Sequence, residues 1–294
     1  MAIGYACLTI GVYGTELSRC ILRNATDEKL RYITIKNLEA LTNIIDYNSK
    51  NKIMLFRISS DIIPFGSHPV NQIRWWEDYE EKLARIGEKI KQSGIRVSMH
   101  PGQYTVLNSP EEKVVQNAYK DLNYHDRFLS SLGADSKCKL VLHIGGCYGN
   151  KEKAIRTFVS NYNQLPESIK SRLVIENDDR NYNIEDILQI SYETGAPVVF
   201  DNLHHLLNPP VNTLSDSEWI TRSGRTWFKK DGLQKIHYSQ QKENAKPGSH
   251  SDTINMEEFL NYYKQLPNQD LDIMLEVKDK NISAMNCMKA ILHI

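Results

Sequence analysis

Short apolar segments alternate along the chain with longer segments in which apolar and charged residues recur at helical spacing. The apolar segments are hydrophobic at successive positions, which is typical of parallel strands covered by helices. Eight such pairs predict one (β/α)8 barrel, a TIM barrel, as a single domain over 1–294. The predicted strands are 2–10, 53–59, 95–100, 138–144, 172–177, 197–201, 234–239 and 271–277. The predicted helices are 27–48, 71–93, 111–133, 151–164, 183–194, 215–230, 256–265 and 281–292.

An open, doubly wound sheet is the alternative architecture for this alternation. Such a sheet would gather its functional groups at one switch point in the strand order. Here polar residues follow nearly every predicted strand, at the end where barrels place their active sites. We therefore favour the barrel, with its functional site at the C-terminal face of the strands.

Six predicted strands carry a histidine or a carboxylate at or just after their C-terminal end. They are His100, His143, Glu176, Asp201, His237 and Glu276, and the segments around them add His68, His204 and His250. Nine nitrogen and oxygen ligands without sulfur favour Mn, Zn or Fe over Mg. They exceed the needs of one ion, so we expect two or three, with Glu176 as a candidate bridge.

Not every histidine joins this set. His125 falls in a predicted helix and His293 at the C-terminus, so we expect both to be structural. His204 is favoured over His205 because it can converge with Asp201 over one helical turn.

Charge and composition exclude few classes of function. The chain has 36 basic and 36 acidic residues, so net charge neither favours nor excludes a nucleic-acid partner. Its five cysteines are widely spaced and fit reduced thiols in a cytoplasmic protein. No apolar run approaches the roughly 20 residues of a membrane span. We expect a cytoplasmic monomer with no membrane partner and no nucleotide cofactor.

A cluster of two or three divalent ions suits displacement at phosphorus, because the ions can activate water and neutralise the phosphate. Phosphodiester hydrolysis is therefore the leading chemistry. Aldose isomerases also use barrels with paired metals and similar ligands, so sugar chemistry stays open on spacing alone.

Eight short motifs together resemble the UV damage endonuclease family, which is distantly similar to endonuclease IV. They cover essentially the whole chain: GYACL (4–8), PFGSHP (64–69), SMHPGQY (98–104), LHIGG (142–146), IENDD (175–179), FDNLHH (200–205), KIHYSQ (235–240) and MLEVKDK (274–280). The resemblance implies a metal-dependent enzyme that nicks double-stranded DNA 5′ to UV photoproducts, which begins an alternative excision repair route.

The resemblance also assigns residues. The nine candidate ligands match the family's metal ligands, with Mn as the expected ion and Zn as the alternative. Glu176, Lys235 and His237 are the expected catalytic residues. Tyr5, Gln103 and Tyr104 are expected to probe the lesion, since aromatic rings can replace lost base stacking. Relatives often carry an asparagine a few residues after the tyrosine, where this chain offers Thr9.

Lys235 precedes His237 by two residues, so both side chains are expected to face the barrel interior. An ammonium beside metal ions is unfavourable. We therefore expect that Lys235 either has a depressed pKa or is carboxylated, and the family resemblance favours carboxylation.

Backbone binding to DNA calls for positive charge. The segment 221–230 gathers four cations around Trp227, and three further arginines lie near strand ends. These residues are Arg222, Arg225, Lys229, Lys230, Arg57, Arg74 and Arg180. A solvated helix face is the equally weighted alternative for them.

The leading hypothesis is thus a UV damage endonuclease. The alternatives are an endonuclease IV-like enzyme that cuts at abasic sites, a metal-dependent sugar isomerase or epimerase, and a lesion-binding protein that does not cut.

Overall fold

The computed structural model describes residues 1–267 and 270–292. In this part of the chain, eight parallel strands form a closed barrel in which each strand pairs with the next and the last pairs with the first. The strands are β1 (Ile3–Ala6), β2 (Leu55–Ile58), β3 (Arg96–Met99), β4 (Leu140–His143), β5 (Leu173–Glu176), β6 (Val198–Asp201), β7 (Gln234–Tyr238) and β8 (Leu271–Leu275). The predicted (β/α)8 barrel is confirmed.

Helices separate the strands, and several connections carry more than one. They are α1 (Asp27–Lys50), α2 (Trp75–Asp78), α3 (Glu80–Ser93), α4 (Glu112–Ser131), α5 (Lys151–Asn163), α6 (Glu167–Arg172), α7 (Ile184–Thr194), α8 (Asn202–Leu207), α9 (Asp216–Gly224), α10 (Met256–Lys264) and α11 (Asn281–Ile291). Short 3-10 turns lie at Leu22–Asn24, Ser60–Ile62 and Lys229–Asp231. Within 1–267 and 270–292, no helix has the length and apolar character that a membrane span requires.

Three predicted boundaries differ from the structure. The first strand ends at Ala6 and does not continue to residue 10, because Cys7 has a φ of 71°, outside extended backbone. The predicted helix 71–93 is interrupted at Tyr79, where φ is −123° and ψ is 24°, so that α2 and α3 are separate. The predicted helix 215–230 ends at Gly224. Helices α6 and α8 are additional to the predicted ones.

The alternation of side chains along the strands determines which residues reach the functional face. Val141, Val174 and Val199, in β4, β5 and β6, form a small buried cluster apart from the main core beneath the helices. Because strand side chains alternate between the two faces, the residues two positions later point the same way. Those residues are His143, Glu176 and Asp201, which end their strands.

Candidate metal centre

Strand register brings the predicted ligands together at the C-terminal end of the barrel. His143 of β4 pairs with Glu176 of β5, and Asp201 of β6 pairs with His237 of β7. Glu276 follows the last residue of β8, which pairs with β7 in turn. Side chains that are far apart in sequence therefore converge over neighbouring strands.

The carboxylate of Glu176 lies at the centre of this arrangement and is almost completely buried. Its Oε2 lies 3.2 Å from His100 Nε2 and 3.3 Å from His143 Nε2. Its Oε1 lies 2.5 Å from His237 Nδ1. One carboxylate thus contacts imidazoles supplied from three different strand ends.

Three sets of potential ligand atoms, each within 4.8 Å of one another, occur among the residues the structure describes. They are His100, His143 and Glu176; Glu176, Asp201 and His204; and Glu176, His237 and Glu276. Glu176 belongs to all three, which is the position a bridging carboxylate would occupy. Seven of the nine predicted ligands are therefore brought together.

Helix α8 orients Asp201 and His204. The Asp201 side chain caps this helix, with Oδ1 accepting a 2.8 Å hydrogen bond from the His204 N–H. The His204 Nδ1 donates to the Asn177 carbonyl oxygen at 2.9 Å, which leaves Nε2 as the ligand atom. His205 instead packs against Phe200, with ring centroids 5.1 Å apart. The preference for His204 over His205 agrees with this geometry.

Asn177 is a supporting residue that lies in the motif IENDD but has no role assigned from sequence. Its side chain accepts a 2.9 Å hydrogen bond from the Asp201 N–H and donates a 3.0 Å bond to the Asp201 carbonyl. Together with its own carbonyl bond to His204, Asn177 fixes one side of the ligand set. Its place directly after Glu176 in a polar run is the sequence signal that could have identified it.

Arg57 and Glu276 form a buried ion pair. Burial alone would raise the pKa of Glu276, but Arg57 and His237 outweigh that effect and hold this pKa well below its usual range. Arg57 therefore acts on a candidate ligand carboxylate, and contact of Arg57 with the DNA backbone stays a hypothesis.

Two histidines of the cluster have opposite pKa shifts. Burial lowers the pKa of His143 to about 4, even though Glu176 opposes the shift. Burial also disfavours the charged form of His204, but Asp201 and Glu176 outweigh it and raise the pKa of His204 to about 9. Metal ligands must be deprotonated, so ion binding at His204 releases a proton and weakens as the pH falls.

The donor set fits divalent metal ions. Three buried atoms of the cluster have no hydrogen-bond partner within the described ranges: His143 Nδ1, Asp201 Oδ2 and His237 Nε2. Buried polar atoms are ordinarily satisfied, so these atoms call for an additional partner. Imidazole nitrogen combined with carboxylate oxygen suits ions such as Mn²⁺ and Zn²⁺.

Two predicted ligands remain, His68 and His250. His250 Nδ1 is 3.9 Å from Glu276 Oε2. His68 is exposed, and its Nδ1 accepts a 3.1 Å hydrogen bond from the Val70 N–H. Neither belongs to the three ligand sets found in the described residues. Both lie in loops that strand register does not fix, and their roles as ligands stay predictions.

Two histidines were predicted to be structural, and neither is found in the cluster of described residues. His125 of α4 is buried, with Nδ1 donating to the Asp121 carbonyl at 2.7 Å and Nε2 lying 2.8 Å from Ser60 Oγ. His293 lies outside the described residues.

Gln103 and Tyr104 are exposed in the loop that follows His100. The Tyr104 side chain is 69% exposed, which is unusual for a large ring and leaves one face free to stack. This placement suits their predicted role as lesion probes.

Tyr5 has a different environment. It is fully buried, its ring packs edge-on against Phe56 at 5.1 Å, and its hydroxyl donates to Asn48 Oδ1 at 2.8 Å. Thr9 Oγ1 lies 2.7 Å from the same hydroxyl. Tyr5 therefore packs toward the helices in this structure, and its insertion into DNA stays a prediction.

Lys235 is fully buried, as predicted, but it lies below the ligands. Its Nζ has no hydrogen-bond partner in the described part of the chain. Burial lowers the pKa of Lys235 to about 7, with Arg96 adding to the shift and Asp272 opposing it. Arg96 and Asp272 form an ion pair of 3.0 Å near the N-terminal ends of their strands. Of the charged groups that act on Lys235, Arg96 and Asp272 thus belong to the lower part of the barrel, while Arg57 also pairs with Glu276.

The basic segment 221–230 lies at the opposite end of the barrel from the ligands. Arg225, Trp227 and Lys229 line a cavity of about 1080 Å³ together with residues that precede the strands. This placement favours the alternative of a solvated surface for the four exposed cations of the segment. Of the other predicted arginines, Arg180 pairs with Asp179 at 3.2 Å and Arg74 pairs with Glu77, both at exposed positions.

Known proteins that are similar to this chain in sequence and in structure include DNA endonucleases. The family model described as UV-endonuclease UvdE matches residues 3–294. A UV DNA damage endonuclease of Clostridium perfringens (strain 13 / Type A) is 47% identical over 295 residues, which covers 100% of this chain and 71% of the relative. The crystal structure of SacUVDE matches with a TM-score of 0.94 and 39% identity, covering 100% of this chain and 98% of that one. Endonuclease IV from Thermus thermophilus, at 12% identity and a TM-score of 0.55 over 99% of this chain and 100% of its own, shows a shared fold alone.

Metal binding can be tested through stability, because a ligand that binds only the folded protein stabilises it. Adding Mn²⁺ or Zn²⁺ to chelator-treated protein should raise the unfolding temperature. At a free-ion concentration of about 100 times the dissociation constant, the free energy of unfolding should increase by about 2.7 kcal/mol. Glu176→Gln should remove most of this response, because all three ligand sets lose a charged oxygen. Calorimetry measures it, with Asp46→Asn at an exposed carboxylate as the control. An unfolding temperature that ignores both ions would contradict the metal centre.

Proposed function

The chain belongs to the UV-endonuclease UvdE family, and on this premise we propose that it is a metal-dependent DNA repair endonuclease. Its substrate is double-stranded DNA that carries a cyclobutane dimer or a 6-4 photoproduct, with abasic sites as a further substrate. It hydrolyses the phosphodiester immediately 5′ to the lesion. Water adds to phosphorus and the 3′ oxygen leaves, so the products are a 3′-hydroxyl and a 5′-phosphate.

The observation that carries this proposal is the sharing of Glu176 among three sets of ligand atoms. A shared carboxylate supports two or three ions held close together, with Mn as the first choice and Zn as the alternative. The proposed ligands are His68, His100, His143, Glu176, Asp201, His204, His237, His250 and Glu276. When bound, such ions make water more acidic and neutralise charge on the phosphate.

The chain's own residues keep the site charged and ordered. Burial would raise the pKa of Glu176, but His237 and His143 hold it well below its usual range, so the carboxylate stays ionised at neutral pH. The contact of His237 Nδ1 with Glu176 fixes the ring, and its buried Nε2 has no hydrogen-bond partner among the described residues. Arg57 holds Glu276 from the opposite side.

Lesion recognition in this proposal depends on Gln103 and Tyr104. Photoproducts stack and pair poorly, so they cost less to displace from the duplex than intact bases. An exposed aromatic ring can take the place of the lost stacking, and an amide can occupy the vacated hydrogen-bonding edge. Both residues stand in the loop that also carries His100, which couples recognition to the ligands.

Three alternative functions predict different outcomes in one assay. An endonuclease IV-like enzyme would cut only at abasic sites, a lesion-binding protein would bind without cutting, and a sugar isomerase would ignore DNA. A cytoplasmic location and a monomeric state remain predictions.

The discriminating test uses the metal-loaded protein and duplexes with one cyclobutane dimer, one abasic site or no lesion. We expect Mn²⁺-dependent incision 5′ to the dimer and none on the intact duplex. Glu176→Ala should abolish incision while it leaves lesion binding partly intact, because recognition lies in a separate loop. Gel electrophoresis of end-labelled strands measures both the site and the rate.

Asp46→Asn, on the outer surface, is the matched control and should cut at the wild-type rate. Absence of incision on the dimer duplex with Mn²⁺ present would refute the proposal. Cutting of the abasic duplex alone would favour the endonuclease IV-like alternative.

Carboxylation of Lys235 belongs to the same proposal. The buried Nζ has no hydrogen-bond partner in the described residues, and a pKa lowered to about 7 supplies the neutral amine that attacks carbon dioxide. The new N–C bond forms as the nitrogen loses one proton, and the product is an anionic carbamate. This would change an unfavourable cation in the barrel interior into an acidic group.

Intact-mass spectrometry under mild alkaline conditions tests the modification. We expect a species heavier by one carbon dioxide in the wild-type protein and none in Lys235→Met. Lys139→Met is a control at another buried lysine, since Lys139 already pairs with Asp231 at 2.6 Å. A wild-type mass without the added species would exclude carboxylation.

A further inference from the structure

Lys280, in the loop between β8 and α11, has a backbone conformation that lysine rarely adopts. Its φ is 52° and its ψ is −111°. This pair of angles lies outside the small left-handed region and resembles the first central position of a type II′ turn, where glycine is favoured. Such strain persists only where the surrounding structure enforces it, and it concentrates at functional sites.

The contacts that enforce this conformation lie on both sides of Lys280. The Asn281 side chain accepts a 2.6 Å hydrogen bond from the Ile10 N–H and donates a 3.1 Å bond to the Ile10 carbonyl. The Asp279 N–H donates to the Asp252 carbonyl at 3.0 Å. Lys280 is therefore held between two neighbouring loops of the C-terminal face.

Lys280 lies in the loop that follows the candidate ligand Glu276 at the C-terminal end of β8. The residue follows Glu276 by four positions and is half-buried. Burial lowers the pKa of its ammonium, and Arg57 and Glu276 are among the charged groups that act on it. Within residues 1–267 and 270–292, no hydrogen bond or ion pair to its Nζ is present, and the nearby Glu276 is already paired with Arg57. The face thus holds a half-buried cation that makes no ion pair among the described residues, although Cys7, Glu276 and Asp279 act on it electrostatically.

We propose that Lys280 binds a phosphate of the DNA backbone next to the bond that is cut, and that its strained backbone directs the ammonium there. This inference rests on the proposed function. Because the backbone of Lys280 is already held in place, less entropy is lost when its ammonium meets a phosphate than for a lysine on a mobile loop. A half-buried cation also attracts a phosphate more strongly than one in bulk water.

Three substitutions separate charge from strain. Lys280→Met removes the charge and keeps the strain, so incision should slow by about 10- to 100-fold while the unfolding temperature stays unchanged. Lys280→Gly removes both, so incision should slow to the same extent while the unfolding temperature rises by about 2–4 °C. Lys280→Arg keeps a cation and should retain most of the activity.

Lys52 provides a matched control. It is another lysine with positive φ, 58°, but it is exposed and precedes β2, at the end of the barrel away from the ligands. Lys52→Met and Lys52→Gly should both cut at the wild-type rate. Lys52→Gly should raise the unfolding temperature as Lys280→Gly does, which shows that relief of strain alone does not slow incision.

Binding of chelator-treated protein to an uncut duplex gives a second readout. The slope of log affinity against log salt should fall by about one for Lys280→Met, because one phosphate contact is lost, and should not change for Lys52→Met. This slope can be measured even if the wild-type protein fails to cut. Failure of the proposed function and failure of this inference are therefore distinguishable. A Lys280→Met variant with an unchanged slope would overturn the phosphate contact.

Discussion

The site depends on one buried carboxylate, Glu176, that is shared by imidazoles from neighbouring strand ends. An ionised carboxylate removed from water costs several kcal/mol unless charged or hydrogen-bonding partners compensate it. His100, His143 and His237 supply those partners within 3.3 Å. The cluster is therefore cooperative: each imidazole is held by the same anion, and loss of that anion leaves all of them without their common contact.

The closed parallel barrel makes this sharing possible. Strand register places the ends of β4 to β7 side by side, so alternate residues of separate strands reach one point above the barrel interior. Contacts outside the ligand set then fix the donors. Asn177 holds Asp201 and His204, and Arg57 holds Glu276. Such supporting bonds orient metal ligands and tune their basicity.

Strand ends were predictable from sequence because continuous apolar runs mark buried strands, and their last residues must meet at one face. The direction of the Tyr5 side chain also follows from the alternation of side chains along β1, in which Gly4 and Ala6 flank it. The position of segment 221–230, at the end of the barrel opposite the ligands, follows from its place before β7 in the chain. The loop positions of His68 and the strain at Lys280 were not accessible, because contacts between distant loops determine them and no local pattern records such contacts.

The central claim is that Glu176 is shared by more than one metal ion. The most direct test is the metal content per chain, measured by inductively coupled plasma mass spectrometry after Mn²⁺ loading and removal of free ions, for the wild-type protein and for Glu176→Gln. We predict at least two ions per wild-type chain and the loss of more than one in the variant. A single ion in the wild-type protein, or a variant that keeps all but one of its ions, would contradict the shared carboxylate.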